Sequence, residues 1–328
     1  MTKAQSMTTK MPPAKPRDRR ADLRKHYGVE FPDEIFVVWE LARSMSPRDP
    51  RNAFWIEPFN VSLHGPFDVL AGAFDGKRPK LPALLHWRFT CDPPEFFTVA
   101  SGDVDGLHWG YWFDDGASAG WMASYYTNDA FELEPCGTTF GQALRRHLEA
   151  CWAGVKANID DDPDAADAYR RELEALKKVR VRIAPLGTGD RPETGEKYMR
   201  KYDCSEARRK QTVAPTKDGM GIVAPKKAFE PVSVADADLD AAIHKAGSRR
   251  ELIAEAERAI AEGRPAKALK IAKELWVRGT ATRPEIEGAS YPLLIAAYEA
   301  LGRPALAEVV RVHAKKRRRR SVDIFKQR

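Results

Sequence analysis

LHWRFTCDPPEFFTV, Leu85 to Val99, is the stretch on which the reading of this 328-residue chain turns. Two consecutive prolines, Pro93 and Pro94, exclude a helix there and fix the direction in which the following residues leave. Upstream lies GPFDVLAG (Gly65 to Gly72); downstream lies HWGYWFDD (His108 to Asp115). From Val61 to Leu133 the chain is a series of short apolar and aromatic runs cut by Gly, Pro and Asp: VSLH, FDVLAGAF, ALLHWRFT, EFFTVAS, LHWGYWF, GWMASYY and AFELE. That spacing predicts strands joined by hairpins, hence an antiparallel sheet. Alternation along neighbouring strands places Leu85, Trp87, Phe89, Phe97, Val99, Trp109 and Tyr111 in the core-facing set.

Helical periodicity flanks the sheet. Asp33 to Ser44 follows Pro32 and sets Ile35, Phe36, Trp39 and Ala42 on one face. Thr138 to Val155 reads as a helix capped by Thr138 or Thr139, with Phe140, Ala143, Leu144, His147, Leu148 and Cys151 along one side. A charged helix follows over Pro163 to Val181, and then an irregular stretch, Ala184 to Ser233, whose length marks a linker or a functional segment. From Ala235 the chain is Ala-rich and helical. GRPA occurs at Gly263–Ala266 and again at Gly302–Ala305, each time between helical runs. A helix, glycine turn, helix unit at that spacing suggests tetratricopeptide-like stacked pairs. The expected division is a disordered basic tail at 1–20, an α+β sheet domain at 21–158, a connector at 159–234, an all-helical domain at 235–316 and a basic tail at 317–328.

The net charge of +7 is unevenly spread. Residues 1–25 carry +6 and residues 311–328 carry +8, which leaves −7 for 26–310. An acidic body suits a basic partner, and basic ends suit weak, nonspecific attraction to nucleic acid. The KKRRRR run, Lys315 to Arg320, has no apolar periodicity and is expected to be dispensable for folding. No run approaches the ~18 apolar residues of a membrane span, so no membrane partner and a cytoplasmic setting are expected. Cys91, Cys136, Cys151 and Cys204 have neither zinc-ligand nor disulfide spacing, so no metal is expected.

No phosphate-binding glycine loop, zinc-protease motif or nucleophile elbow is present. His86-Trp87 and His108-Trp109 repeat an LHW triplet that reads first as cross-strand packing, with a paired site as the alternative. Asp92-Pro93-Pro94-Glu95 reads as a rigid acidic turn before it reads as a catalytic pair, and Asp114-Asp115-Gly116 likewise. Asp160-Asp161-Asp162 before Pro163 suits a helix cap.

HWRF-x-x-DPPEF, GPFDVLAG and YGVEFPDEIFVVWELARSMSPRDPRNA (Tyr27 to Ala53) together resemble the histone PARylation factor family. The resemblance is dense over about 23–135, thin over 140–210, and returns at Gly219 to Leu239. It implies an accessory subunit that binds a poly(ADP-ribose) polymerase-like ADP-ribosyltransferase and lends a carboxylate general base for serine ADP-ribosylation. By that resemblance the catalytic carboxylate is Glu262, and the partner-binding residues are Phe229, Glu230, Asp236 and Asp238. NAD would sit on the partner, the chain would hold no cofactor and would not be an enzyme by itself, and basic proteins would be the substrates. Three departures stand out. The family's Tyr-Arg pair maps to Phe229-Glu230, its acidic residue before the glutamate maps to Ala261, and GRPAKAL after Glu262 is not the family's sequence. Leu301 fills the slot before Gly302 that Glu262 fills before Gly263, so the turn itself does not demand a carboxylate. The N-terminal half also resembles, more weakly, the SMI1/KNR4-like group. The competing reading is a non-catalytic immunity or scaffold module that grips a basic partner.

Overall fold

The computed structural model describes residues 18–77, 79–128, 132–191, 195–279, 283–316 and 321–326. Among them, five strands form one antiparallel meander in chain order: β1 (Ser62–Leu63), β2 (Phe96–Ser101), β3 (Leu107–Trp112), β4 (Trp121–Tyr126) and β5 (Glu134–Gly137). Phe97, Val99, Trp109, Tyr111 and Met122 face one side, where they pack with Ile35, Val38, Trp39 and Ala42. Phe96, Trp112, Trp121, Ala123 and Tyr125 face the other, under Leu133 and Met220. Every position of β3 is buried. A sheet covered on both faces needs apolar side chains at both parities, which is why its strands look continuously aromatic.

Among the described residues, twelve helices complete the α+β fold: α1 (Arg19–Tyr27), α2 (Glu34–Met45), α3 (Pro66–Leu70), α4 (Phe140–Asp161), α5 (Ala166–Ile183), α6 (Gly195–Tyr202), α7 (Ser205–Gln211), α8 (Leu239–His244), α9 (Ala246–Ala261), α10 (Pro265–Gly279), α11 (Pro284–Ala300) and α12 (Pro304–Lys315). The start of α4 is closed twice. Thr139 accepts the Gln142 N–H, and the Glu34 carboxylate of α2 accepts the Phe140 and Gly141 N–H groups at 2.7 and 2.8 Å and the Tyr111 hydroxyl at 3.1 Å. A carboxylate at a helix N-terminus answers both the unpaired donors and the helix dipole. One continuous hydrophobic cluster runs from Leu23 through the sheet to α12 and Ile324. No helix among the described residues is long and apolar enough to cross a membrane.

Several expectations need correction. GPFDVLAG is not a strand: Pro66 starts α3, and Gly65, with φ of 60°, turns the chain into it. LHWRF is not a strand either. Leu85 closes a 3-10 turn, and Trp87 has φ of 55°, which no strand residue adopts. Leu85, Phe97, Val99, Trp109 and Tyr111 are buried as expected, while Trp87 and Phe89 are only half-buried. Helix α1 begins inside the stretch expected to be a tail, capped by Asp18; residues 1–17 lie outside the described residues. The irregular stretch contains α6 and α7. Lys315 ends α12 and Lys316 follows it; 317–320 and 327–328 lie outside the described residues. Residues 321–326 do not trail away, because Ile324 is buried in the core.

Candidate functional site

The two GRPA repeats build the same turn. After α9, Gly263 takes φ of 74°; its N–H bonds Ile260 O at 3.1 Å and the Arg264 N–H bonds Ala259 O at 2.7 Å. After α11, Gly302 takes φ of 71°, with Gly302 N–H to Glu299 O at 2.9 Å and Arg303 N–H to Tyr298 O at 2.7 Å. Both are Schellman closures, which need a left-handed residue after the last helical one. Glu262 is therefore the C-cap of α9, its N–H bonded to Arg258 O and its side chain exposed on a rigid turn. Among the described residues, no ion pair to Glu262 is found.

The repeat arginines strap the connector. Arg264 donates to Lys227 O at 3.1 Å, and the buried Arg303 donates to Val223 O at 2.5 Å. Past the turn, α10 carries cations that pin the segment 230–240. Lys267 lies 3.7 Å from Glu230 and 3.0 Å from Glu255, Lys270 pairs with Asp236 at 2.5 Å, and Arg278 pairs with Asp240 at 3.0 Å. Glu255 also accepts the Ser233 N–H at 2.8 Å. Burial opposes the Glu255 charge, but Ser233 and Lys267 overcome it and hold the carboxyl below its ordinary range. Glu230 is thus held near the start of α10, and Asp236, in the 3-10 turn Asp236–Asp238, is held by Lys270 one turn further along that helix. Phe229 is half-buried against the core; Glu230, Asp236 and Asp238 are exposed.

The acidic turn in the opening stretch proves to be architecture. The Arg88 guanidinium donates to the carbonyls of Phe96, Asp92 and Pro93 at 2.9, 2.8 and 2.6 Å. Asp92 is fully buried and accepts the Phe89 N–H at 2.8 Å, His108 Nε2–H at 3.1 Å and the Tyr125 hydroxyl at 2.5 Å. Burial alone would raise the Asp92 pKa; His108, Arg88 and Tyr125 overcome that and hold it below the ordinary carboxylate value. The other LHW histidine, His86, bonds Asp68 at 2.9 Å. The two imidazoles are satisfied by separate carboxylates, so they form no joint site. Asp115 caps the turn at Ala117 and Ser118, and Asp162 accepts the Ala165 N–H as a helix cap.

One cluster escaped the sequence reading. Glu95, the last residue of the acidic turn, lies 2.9 Å from the Lys273 ammonium of α10, and Asp218 lies 2.9 Å from it on another side. All three are buried, and the ammonium stands 4.7 Å above the Trp112 ring. Burial lowers the Lys273 pKa, but the two carboxylates outweigh it and raise the value above that of a free lysine. The available signal was a lysine on the apolar side of α10, one turn from Leu269 and Trp276. No group of His, Cys, Asp and Glu that could hold a metal ion occurs among the described residues.

The fold is an α+β sheet locked to paired helices, with an exposed carboxylate at the C-cap of α9. Residues 18–317 match the family model described as histone PARylation factor 1, and the chain belongs to that family. It is 34% identical over 102 residues to histone PARylation factor 1 of Bos taurus, covering 30% of this chain and 29% of the relative. It is 36% identical over 104 residues to the Mus musculus protein of that name, covering 30% of each. A histone PARylation factor 1-like protein of Homo sapiens is 25% identical over 334 residues, covering 94% of this chain and 89% of the relative. The matches to the cattle and mouse proteins thus span about three-tenths of their lengths.

Proposed function

We propose that this chain is an accessory factor for a poly(ADP-ribose) polymerase-like ADP-ribosyltransferase, and that Glu262 is the general base it contributes. Family membership together with the exposure of Glu262 on a rigid turn carries the reading. A serine hydroxyl is a weak nucleophile at neutral pH. In the proposed reaction the serine oxygen attacks the anomeric carbon of NAD held by the transferase, nicotinamide leaves, and Glu262 takes the hydroxyl proton. A base offered to another protein's site must be reachable and must hold its position, and a Schellman-closed helix end supplies both. Phe229, Glu230, Asp236 and Asp238 form the transferase-facing surface in this reading. Basic proteins are the substrates, attracted by the acidic body, and the Lys315–Arg320 run adds weak, salt-sensitive attraction to nucleic acid.

The test uses a poly(ADP-ribose) polymerase-like transferase from the same genome, where one is found, and a basic, serine-containing substrate. Glu262→Ala should bind the transferase with unchanged affinity in calorimetry while serine modification falls by about 10²–10⁴, the usual worth of a general base. Glu230→Lys should instead weaken binding. Full modification with Glu262→Ala would replace this reading with a binding-only scaffold.

A further inference from the structure

The segment Ser321–Lys326 crosses back to the N-terminal half and lies in a groove made by Phe74, Lys77, His86 and Trp87. Val322 O accepts the Trp87 N–H at 2.8 Å, and the Ile324 N–H is 3.4 Å from His86 Nδ1. Ile324 is only 2% exposed. The Phe325 ring meets Phe74 at 4.9 Å and His86 at 5.3 Å, both edge-on, with the Lys77 ammonium 5.8 Å from its centroid. Asp323 accepts the Phe325 N–H at 3.0 Å and lies 3.8 Å from His86 Nδ1.

The groove is set from its own side. His86 Nε2 meets the buried Asp68 at 2.9 Å, and Asp68 meets Arg51 at 2.7 Å. Donation of the Nε2 proton to Asp68 leaves the Nδ1 lone pair facing the groove as an acceptor. Trp87, at its left-handed φ, stacks on His64 with centroids 3.4 Å apart and leaves its N–H pointing to the segment. The occupant lies outside residues 18–317, the span that matches the family model. Two side-chain anchors, two backbone bonds and one short continuous stretch are the features of a bound peptide.

We propose that this groove is a recognition site for short segments of acidic–aliphatic–aromatic chemistry, held in cis by Asp323-Ile324-Phe325 and available to a partner's segment of that chemistry once these residues leave. Each element has a matching receptor: His86 Nδ1 and the Trp87 N–H for backbone, the buried pocket of Ile324 for the aliphatic residue, and Phe74 with Lys77 for the aromatic ring. The acidic residue caps the turn that presents the other two. Being on the same chain as its receptor, the resident acts at an effective concentration on the order of millimolar, so the isolated chain is self-blocked against weaker competitors. The inference does not rest on the role proposed for Glu262.

The test is a titration of a synthetic SVDIFKQR peptide into the full chain, followed by calorimetry and tryptophan emission. The full chain carrying Ile324→Ala and Phe325→Ala together should bind the peptide saturably below about 1 mM. The unaltered chain should bind at least tenfold more weakly, and the peptide with the same two alanines should not bind either chain. A second arm places a specific protease site within 317–320 of the full chain and cuts it after folding; the freed segment should then exchange with labelled peptide. A folded double variant that does not take the peptide overturns the proposal, as does equal binding by both chains. If the double variant does not fold, the cleaved chain decides: exchange supports the proposal, and unfolding or no exchange after the cut refutes it.

Discussion

Lys273→Met tests the joint between sheet and helices. In the native chain one ammonium is shared by two carboxylates, Glu95 and Asp218, all three nearly shut off from water. Methionine fills similar volume and keeps helix propensity, so the loss is electrostatic. Removing one partner of a buried ionic group costs about 3–5 kcal/mol, because the remaining charge has neither water nor counter-ion. With a urea m-value near or above ~3 kcal/mol/M for a chain of this size, the unfolding midpoint should fall by roughly 1–1.5 M. Lys273→Met with Glu95→Gln and Asp218→Asn should regain most of the loss, since no charge is left buried. Urea titrations of the three proteins at pH 7 decide it. A single variant within about 0.2 M of the native midpoint would refute the geometry.

Glu34→Ala removes the acceptor for two helix N–H groups and the Tyr111 hydroxyl, and should cost about 2–3 kcal/mol in thermal unfolding, with Glu34→Gln recovering part of it. Trp87→Ala should cost about 1–2 kcal/mol, below the ~3–5 expected for the fully buried Trp112, because the Trp87 ring is half-exposed; equal chemical-denaturation midpoints for the two variants would contradict this. His64 is held neutral by burial, with its pKa lowered to about 3. Its unfolded form takes a proton below about pH 6.5 that the folded form refuses until about pH 3, so stability should fall with decreasing pH at up to about 1.4 kcal/mol per unit. His64→Gln should flatten that slope in urea midpoints between pH 7 and pH 4.

What was legible in the sequence was what depends on period and local rule. The α2 face, the Thr139 and Asp162 caps and the Gly263 and Gly302 turns follow from short-range chemistry, and the structure carries each of them. The strands from Phe96 to Tyr126 were readable because alternation survives even where both faces are covered. LHWRF misled because its alternating aromatics imitate a strand while its side chains serve a turn: Arg88 binds three carbonyls and Trp87 needs a left-handed backbone. Nothing local to Glu95 or Lys273 indicates a pairing across 178 positions. The docking of Ile324 was equally hidden, since a single Ile-Phe pair beyond a run of cations has no periodicity to read.

The opening stretch, then, does not hold the proposed base but fixes where the base stands. Its Arg88-stapled turn presents Glu95 to Lys273, which lies eight residues, about 12 Å at the helical rise, past the Pro265 start of α10 that follows the Glu262 turn. Between them Lys267 and Lys270 hold Glu230 and Asp236, so the face that carries the proposed partner residues is laid on a helix anchored near its middle by the acidic turn. A shift of α10 would displace Glu230 and pull on the turn that joins it to Glu262. On the proposed function, substitutions at Glu95 should therefore weaken accessory activity through placement of the face, while substitutions at Glu262 should act on the proposed chemistry alone. With the cognate transferase, Glu95→Gln should raise the concentration of this chain needed for half-maximal modification and leave the maximal rate nearly unchanged. Glu262→Gln should do the reverse. If both variants lose maximal rate alike, the turn and the carboxylate act as one unit and the separation argued here is wrong.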